Sequence, residues 1–249
     1  MADPDTVIDE SGKKVLIALE NNPEVLSGLA ARLGVSDRIT FHDVLSLDRD
    51  FLAHIPRPCH ALIIMVPAPV YHAARDEFES TIPEYTGSGS SEPVMWFRQT
   101  IGNACGLHSL LHALTNGPLR SMILPGSLLS KLVEDAEPLK AGERAHLLHN
   151  SEALERAHQE SARLGDTEAP VAVVEFGHHF VTFVKGSDGG LWEMNGGMNG
   201  PVKRGELVKG QDALSEKALN IGARDFLDVG KKMGRMDFSL VAVCSDLDD

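Results

Sequence analysis

The sequence predicts one domain of mixed helices and strands, and three observations lead there. Its 249 residues are enough to bury one substantial core and too few to favour two. Leu107, Leu110, Leu111 and Leu114 recur with the spacing of a helix face. To either side the pattern changes to that of strands, with a continuous apolar run over residues 61–66 and an alternation from His179 to Val184.

Taken in order, residues 14–20 are a short apolar run read as a strand. Asn21, Asn22 and Pro23 then announce a helix, carried by Val25, Leu26, Leu29 and Leu33 and stopped by Gly34. Residues 39–44 read as a strand. The run over 61–66 is apolar on both faces, as in a central strand, and Pro67 and Pro69 end it. Residues 86–93, rich in Gly and Ser, form a loop, and helical spacing over 100–114 follows, so Cys105 stands near the start of a helix. Further helices are expected over 128–137, over 142–148, and after Asn150 or Ser151, either of which can cap the next turn. From Gly177 the period is two. Residues 186–190 make a turn, 191–194 a returning strand and 238–244 a last strand, with no internal repeat.

The net charge of −13 speaks against a nucleic-acid partner, because phosphate binding needs clustered Lys and Arg. It favours a basic one. Cys59, Cys105 and Cys244 have no paired spacing, which fits a reduced compartment better than a disulfide scaffold. The first residues are acidic and lack an apolar core, so no signal peptide is expected, and residues 1–12 should be loose. The longest apolar stretch, 61–70, is too short to span a bilayer, so no membrane association is expected and the cytoplasm, with the nucleus also open, is the expected location. His146 and His149 have helical spacing but no Cys or Glu ligands beside them, so they read as solvated residues and no metal or other cofactor is expected.

Cys105 sits among small residues, Gly102-Asn103-Ala104 before it and Gly106 after it. A thiol at a helix start faces unpaired N–H groups and the positive end of the helix dipole, which favour the thiolate. His179 and its neighbour His178 lie on a strand far along the chain, and Asn195 follows the returning strand, within reach of an imidazole. Each of these also fits a structural role: a small buried thiol, a hydrogen-bonded strand histidine, a turn residue before Gly196 and Gly197.

The run Gln99-Thr100-Ile101-Gly102-Asn103-Ala104-Cys105-Gly106 resembles the active-site signature of the ubiquitin carboxyl-terminal hydrolases. Leu19-Glu20-Asn21-Asn22-Pro23-Glu24-Val25 resembles that family's opening segment, Phe41-His42-Asp43-Val44-Leu45 its next element, and 136–170 its helices and crossover loop. The resemblance implies an α+β fold, a central and mainly antiparallel sheet flanked by helices in a papain-like arrangement with a knotted backbone. One catalytic domain would span 1–249, with residues 158–175 as the loop over the active site.

It further implies a deubiquitinating thiol hydrolase acting on ubiquitin or a ubiquitin-like protein, as a monomer. Cys105 would be the nucleophile, His179 the general base and Gln99 the oxyanion-hole side chain, with Glu20 and Asn103 as substrate-binding residues. The family has Asp where this chain reads Glu193-Met194-Asn195-Gly196. An amide oxygen can still accept from the imidazole, as in Cys-His-Asn enzymes. The alternative is a ubiquitin-binding adaptor whose chemistry Asn195 has impaired.

Overall fold

The computed structural model describes residues 6–166 and 177–246. Among these the main sheet is built from β3 (Ile39–Asp43), β4 (Cys59–Pro67), β5 (His178–Lys185), β6 (Gly190–Met194), β7 (Val202–Glu206) and β8 (Ser239–Ser245). Its order is β3-β8-β4-β5-β6-β7, and every pairing is antiparallel. The architecture is therefore α+β, a mainly antiparallel sheet flanked by helices.

Strand alternation explains why both faces need helices. On β4, Ala61 and Ile63 join one core while Leu62, Ile64 and Val66 join the other. Strand β5 divides likewise, Phe180 and Val184 on the first side, Val181 and Phe183 on the second. The first face is covered by α1 (Pro23–Leu33), α4 (Cys105–Leu114), α5 (Leu128–Ala136) and α7 (Glu152–Ala162), the second by α3 (Ala68–Glu79), α8 (Glu216–Ile221) and α9 (Ala223–Met233). Two short helices, α2 (Arg49–Leu52) and α6 (Ala141–His149), and a 3₁₀ turn over Gly117–Met122 complete the set.

Local signals set the helix ends. Asn22 accepts from the Glu24 N–H at the start of α1, and Gly34 closes it in the left-handed conformation at φ 86°. Ser151 caps α7 by accepting from the Leu154 N–H. Pro69 lies within the first turn of α3, where a missing N–H costs nothing, so the proline pair that ends β4 also starts a helix.

Three expectations are corrected. Of residues 14–20, only Lys14–Val15 is strand (β2), paired with Val7–Ile8 (β1). Beyond it the backbone is satisfied by α7 side chains: the Ile17 N–H donates to Gln159 Oε1, and His158 Nε2 donates to the Ile17 carbonyl. Residues 1–12 are held from Thr6 onward, because the β1–β2 hairpin orders the backbone and the Thr6 hydroxyl donates to Glu155. Of the residues 158–175 expected as a loop, 158–162 are helical, because α7 runs to Ala162. Residues 167–176 of that loop lie outside the described residues.

Candidate active site

Every residue of α4 after Cys105 is buried, so this helix is fixed on all sides and its first residue is held with it. The small residues around the thiol reflect close approach. A Cβ on Gly102 would lie 2.9 Å from Val15 Cγ2, and one on Gly106 would lie 2.9 Å from Leu19 Cβ. The Leu16 N–H donates to the Gly102 carbonyl, while the Gly102 N–H donates to Lys14, which pins the turn ahead of Cys105. Within that turn Asn103 takes a left-handed φ of 57°, a region tolerated best by Gly and Asn.

Cys105 is half-buried, and backbone N–H groups of Gly106, Phe180 and Cys105 itself reach its sulfur. Burial outweighs them and pushes the thiol above its ordinary value. The expectation that the helix start would favour the thiolate is opposed here: the backbone N–H groups act in that direction, but burial of the sulfur is the larger effect.

The Phe180 N–H belongs to the residue directly after His179, so the foot of α4 meets the start of β5 at the candidate pair. The His179 ring stacks on Tyr71 of α3, with centroids 4.4 Å apart and planes 24° apart. His72 stands edge-on to the same ring at 5.3 Å. His178 Nε2 lies 3.4 Å from Asp237 Oδ2.

Asn195 is buried, and its side chain has two partners. Its Oδ1 accepts from the Gly197 N–H at 2.8 Å, which fixes the amide's orientation, so Nδ2 donates to the Tyr71 hydroxyl at 2.8 Å. The sequence led us to expect Asn195 to accept from the imidazole. Instead its oxygen is engaged locally and its N–H points to the tyrosine that stacks on His179. Gln99 lies beside this loop: its N–H donates to the Gly196 carbonyl at 2.8 Å, and its Nε2 donates to the Ile101 carbonyl at 3.0 Å.

Glu20 accepts from the Asp166 N–H at 3.2 Å, a contact that does not bring it to Cys105 or His179. It borders a groove of about 450 Å³ lined by Asn21, Asn22, Pro23, Glu24, Asp43 and Asp166, three of them acids.

The sequence matches the family described as ubiquitin carboxyl-terminal hydrolase, family 1, over residues 16–224. It is 33% identical over 227 residues to ubiquitin carboxyl-terminal hydrolase isozyme L1 of Rattus norvegicus, covering 91% of this chain and 96% of the relative. The isozyme L1 of Equus caballus is 34% identical over the same span. The chain belongs to the ubiquitin carboxyl-terminal hydrolase family. It is thus a cysteine-type ubiquitin carboxyl-terminal hydrolase. The fold agrees with the Trichinella spiralis UCH37 catalytic domain bound to ubiquitin vinyl methyl ester, at a TM-score of 0.68 with 20% identity, covering 93% of this chain and 95% of that one.

Within this hydrolase, sequence reasoning missed Tyr71 and His72, which flank His179. No periodic signal marks them, and α3 itself was hidden behind Pro67 and Pro69. Among the described residues no cluster of three or more His, Cys, Asp or Glu could hold a metal ion, and no helix is long and apolar enough to cross a membrane.

Proposed function

We propose that this hydrolase releases small or unfolded adducts and precursor tails from the C-terminal glycine of ubiquitin, or of a ubiquitin-like protein, through a thioester on Cys105. One observation carries this reading. The Cys105 sulfur meets the backbone next to His179 at the foot of a buried helix, with Gln99 and Asn195 on the adjoining loops.

The chemistry follows from those groups. His179 takes the thiol proton as the sulfur attacks the glycine carbonyl, and the tetrahedral oxyanion is held by the Cys105 backbone N–H and the Gln99 amide. That amide carries a second N–H besides the one given to Ile101. Collapse expels the amine, which leaves with the proton from His179. Water then attacks the thioester, restoring the thiol and freeing the glycine carboxylate.

Substrate size and charge follow from the surroundings. The segment 167–176 starts where the Asp166 N–H is tied to Glu20, and ends where the Gly177 carbonyl accepts from the Ala68 N–H. The family resemblance, which implies a crossover loop that sets leaving-group size, supports small or unfolded adducts over folded conjugates. Glu20, Glu24, Asp43 and Asp166 suit the basic tail of ubiquitin. That the Trichinella neighbour binds a ubiquitin derivative supports ubiquitin as the partner. We read residues 1–249 as one catalytic domain that acts as a monomer.

A second reading, a ubiquitin-binding adaptor, draws on the engagement of the Asn195 amide with Gly197 and Tyr71. Release of a fluorogenic amine from the ubiquitin C-terminus separates the two. We expect turnover in the wild type, abolished by Cys105→Ala and by His179→Ala. A silent wild type awakened by Asn195→Asp would establish the adaptor instead.

A further inference from the structure

We propose that Tyr71 is the positioning residue of His179, holding the imidazole by its ring face while Asn195 holds the tyrosine's hydroxyl. The inference rests on the catalytic reading of His179 given above. In a cysteine hydrolase the imidazole must be kept in one orientation, commonly by a side chain that accepts from its ring N–H. Here the residue in the corresponding place, Asn195, gives its oxygen to the Gly197 N–H and its N–H to Tyr71, so it reaches the imidazole only through the tyrosine.

Tyr71 is suited to pass on that constraint. It is 2% exposed, and its ring lies between two others, 4.4 Å from His179 and 6.1 Å from Phe226, at 24° and 20° to them. Phe226 is in turn covered by the Arg75 guanidinium, 4.1 Å from its centroid, and Arg75 is held by Glu193 on β6. The column runs from an anchored ion pair, through two aromatic rings, to the imidazole. A face-to-face contact restrains the tilt of the imidazole without using its hydrogen-bonding directions, which lie in the ring plane. His72, edge-on at 5.3 Å, closes a second side.

The test uses the full chain and the ubiquitin–amine substrate, with Tyr71→Phe, Tyr71→Leu and His179→Ala compared by kcat, KM and melting temperature. Tyr71→Phe keeps the ring and loses the hydroxyl, so kcat should fall by about three- to tenfold. Tyr71→Leu keeps bulk and loses the flat face, so kcat should fall by up to about a hundredfold, because a small misplacement of a catalytic group is that costly. KM should stay within about twofold in both, since the ring faces His179 and not the substrate groove. In the NMR spectrum, the His179 ring protons should lose their upfield ring-current shift in Tyr71→Leu and keep it in Tyr71→Phe.

A folded Tyr71→Leu protein with wild-type kcat, or with a raised kcat, overturns the proposal. If Tyr71→Leu does not fold, the pair Tyr71→Phe and Asn195→Ala decides it. Losses in kcat that do not add in the double variant support the relay through the hydroxyl, and independent losses overturn it. Turnover that survives in His179→Ala would overturn the catalytic reading itself, and the proposal with it. A dead His179→Ala beside an undiminished Tyr71→Leu overturns the positioning role alone.

Discussion

Replacing Glu193 by Ala should destabilise the protein severely, because it leaves a buried guanidinium without its main counter-charge. Arg75 and Glu193 have side chains 2% and 0% exposed. They are joined by two parallel hydrogen bonds, from Arg75 Nε at 2.9 Å and from the Arg75 terminal nitrogen at 3.0 Å. Asp225 accepts from Arg75 at 2.6 Å but is 43% exposed, so it can neutralise only part of the charge. Breaking one side of such a pair typically costs about 3–5 kcal/mol, which lowers Tm by about 6–20 °C in a chain of this length. Urea unfolding followed by circular dichroism measures the loss directly. The double variant Arg75→Met/Glu193→Leu removes both charges and should recover most of the stability, since the pair attracts about as strongly as it is costly to desolvate. A Glu193→Ala protein within about 1 kcal/mol of wild type, or a double variant no better than the single one, would refute the reasoning.

Three further outcomes follow from other parts of the molecule. Burial holds His112 down to about 3 and His158 down to about 4, both staying neutral in the fold. The unfolded chain protonates them below about pH 6.5, so stability should fall by roughly 1.4 kcal/mol per histidine for each pH unit from there toward pH 4, before most carboxylates titrate. Urea midpoints that do not change between pH 7 and pH 5 would contradict this. Because burial pushes the Cys105 thiol up while Cys59 and Cys244 are fully buried, iodoacetamide should modify one cysteine in the native protein. Its rate should climb about tenfold per pH unit through neutrality; a flat profile above pH 6 would reveal a preformed thiolate instead. Finally, Gln99→Ala should cost about 2.7–4 kcal/mol in the barrier and leave ubiquitin binding intact; a loss of affinity in calorimetry would remove Gln99 from the oxyanion site.

Cys105 at a helix start, the helix itself, β4 and β5 could be read in the sequence because each is encoded by neighbours along the chain. The two-sided apolar run of 61–66 becomes the strand between β8 and β5, and the alternation from His179 becomes β5. Where local pattern and structure part, a long-range partner has intervened. Residues 16–20 are apolar enough for a strand, but the Ile17 backbone bonds with Gln159 and His158 of α7. Helix α9 buries Ala223, Phe226 and Gly230 on one face of a segment that is otherwise mostly charged and polar, and it went unread in the sequence.

The sequence by itself determined the family and the residues that carry the proposed chemistry, since Gln99, Cys105 and His179 stand in motifs that need no folding to recognise. The tertiary structure decided how those residues are held. Tyr71, His179 and Asn195 are separated by more than a hundred and by sixteen positions and meet only when α3, β5 and the loop after β6 pack together. The same packing partly buries Cys105, and with it raises the thiol. Periodicity records which face of an element is buried. It does not record which side chain, from elsewhere in the chain, will face it, and on that choice the orientation of the histidine and the charge of the thiol depend.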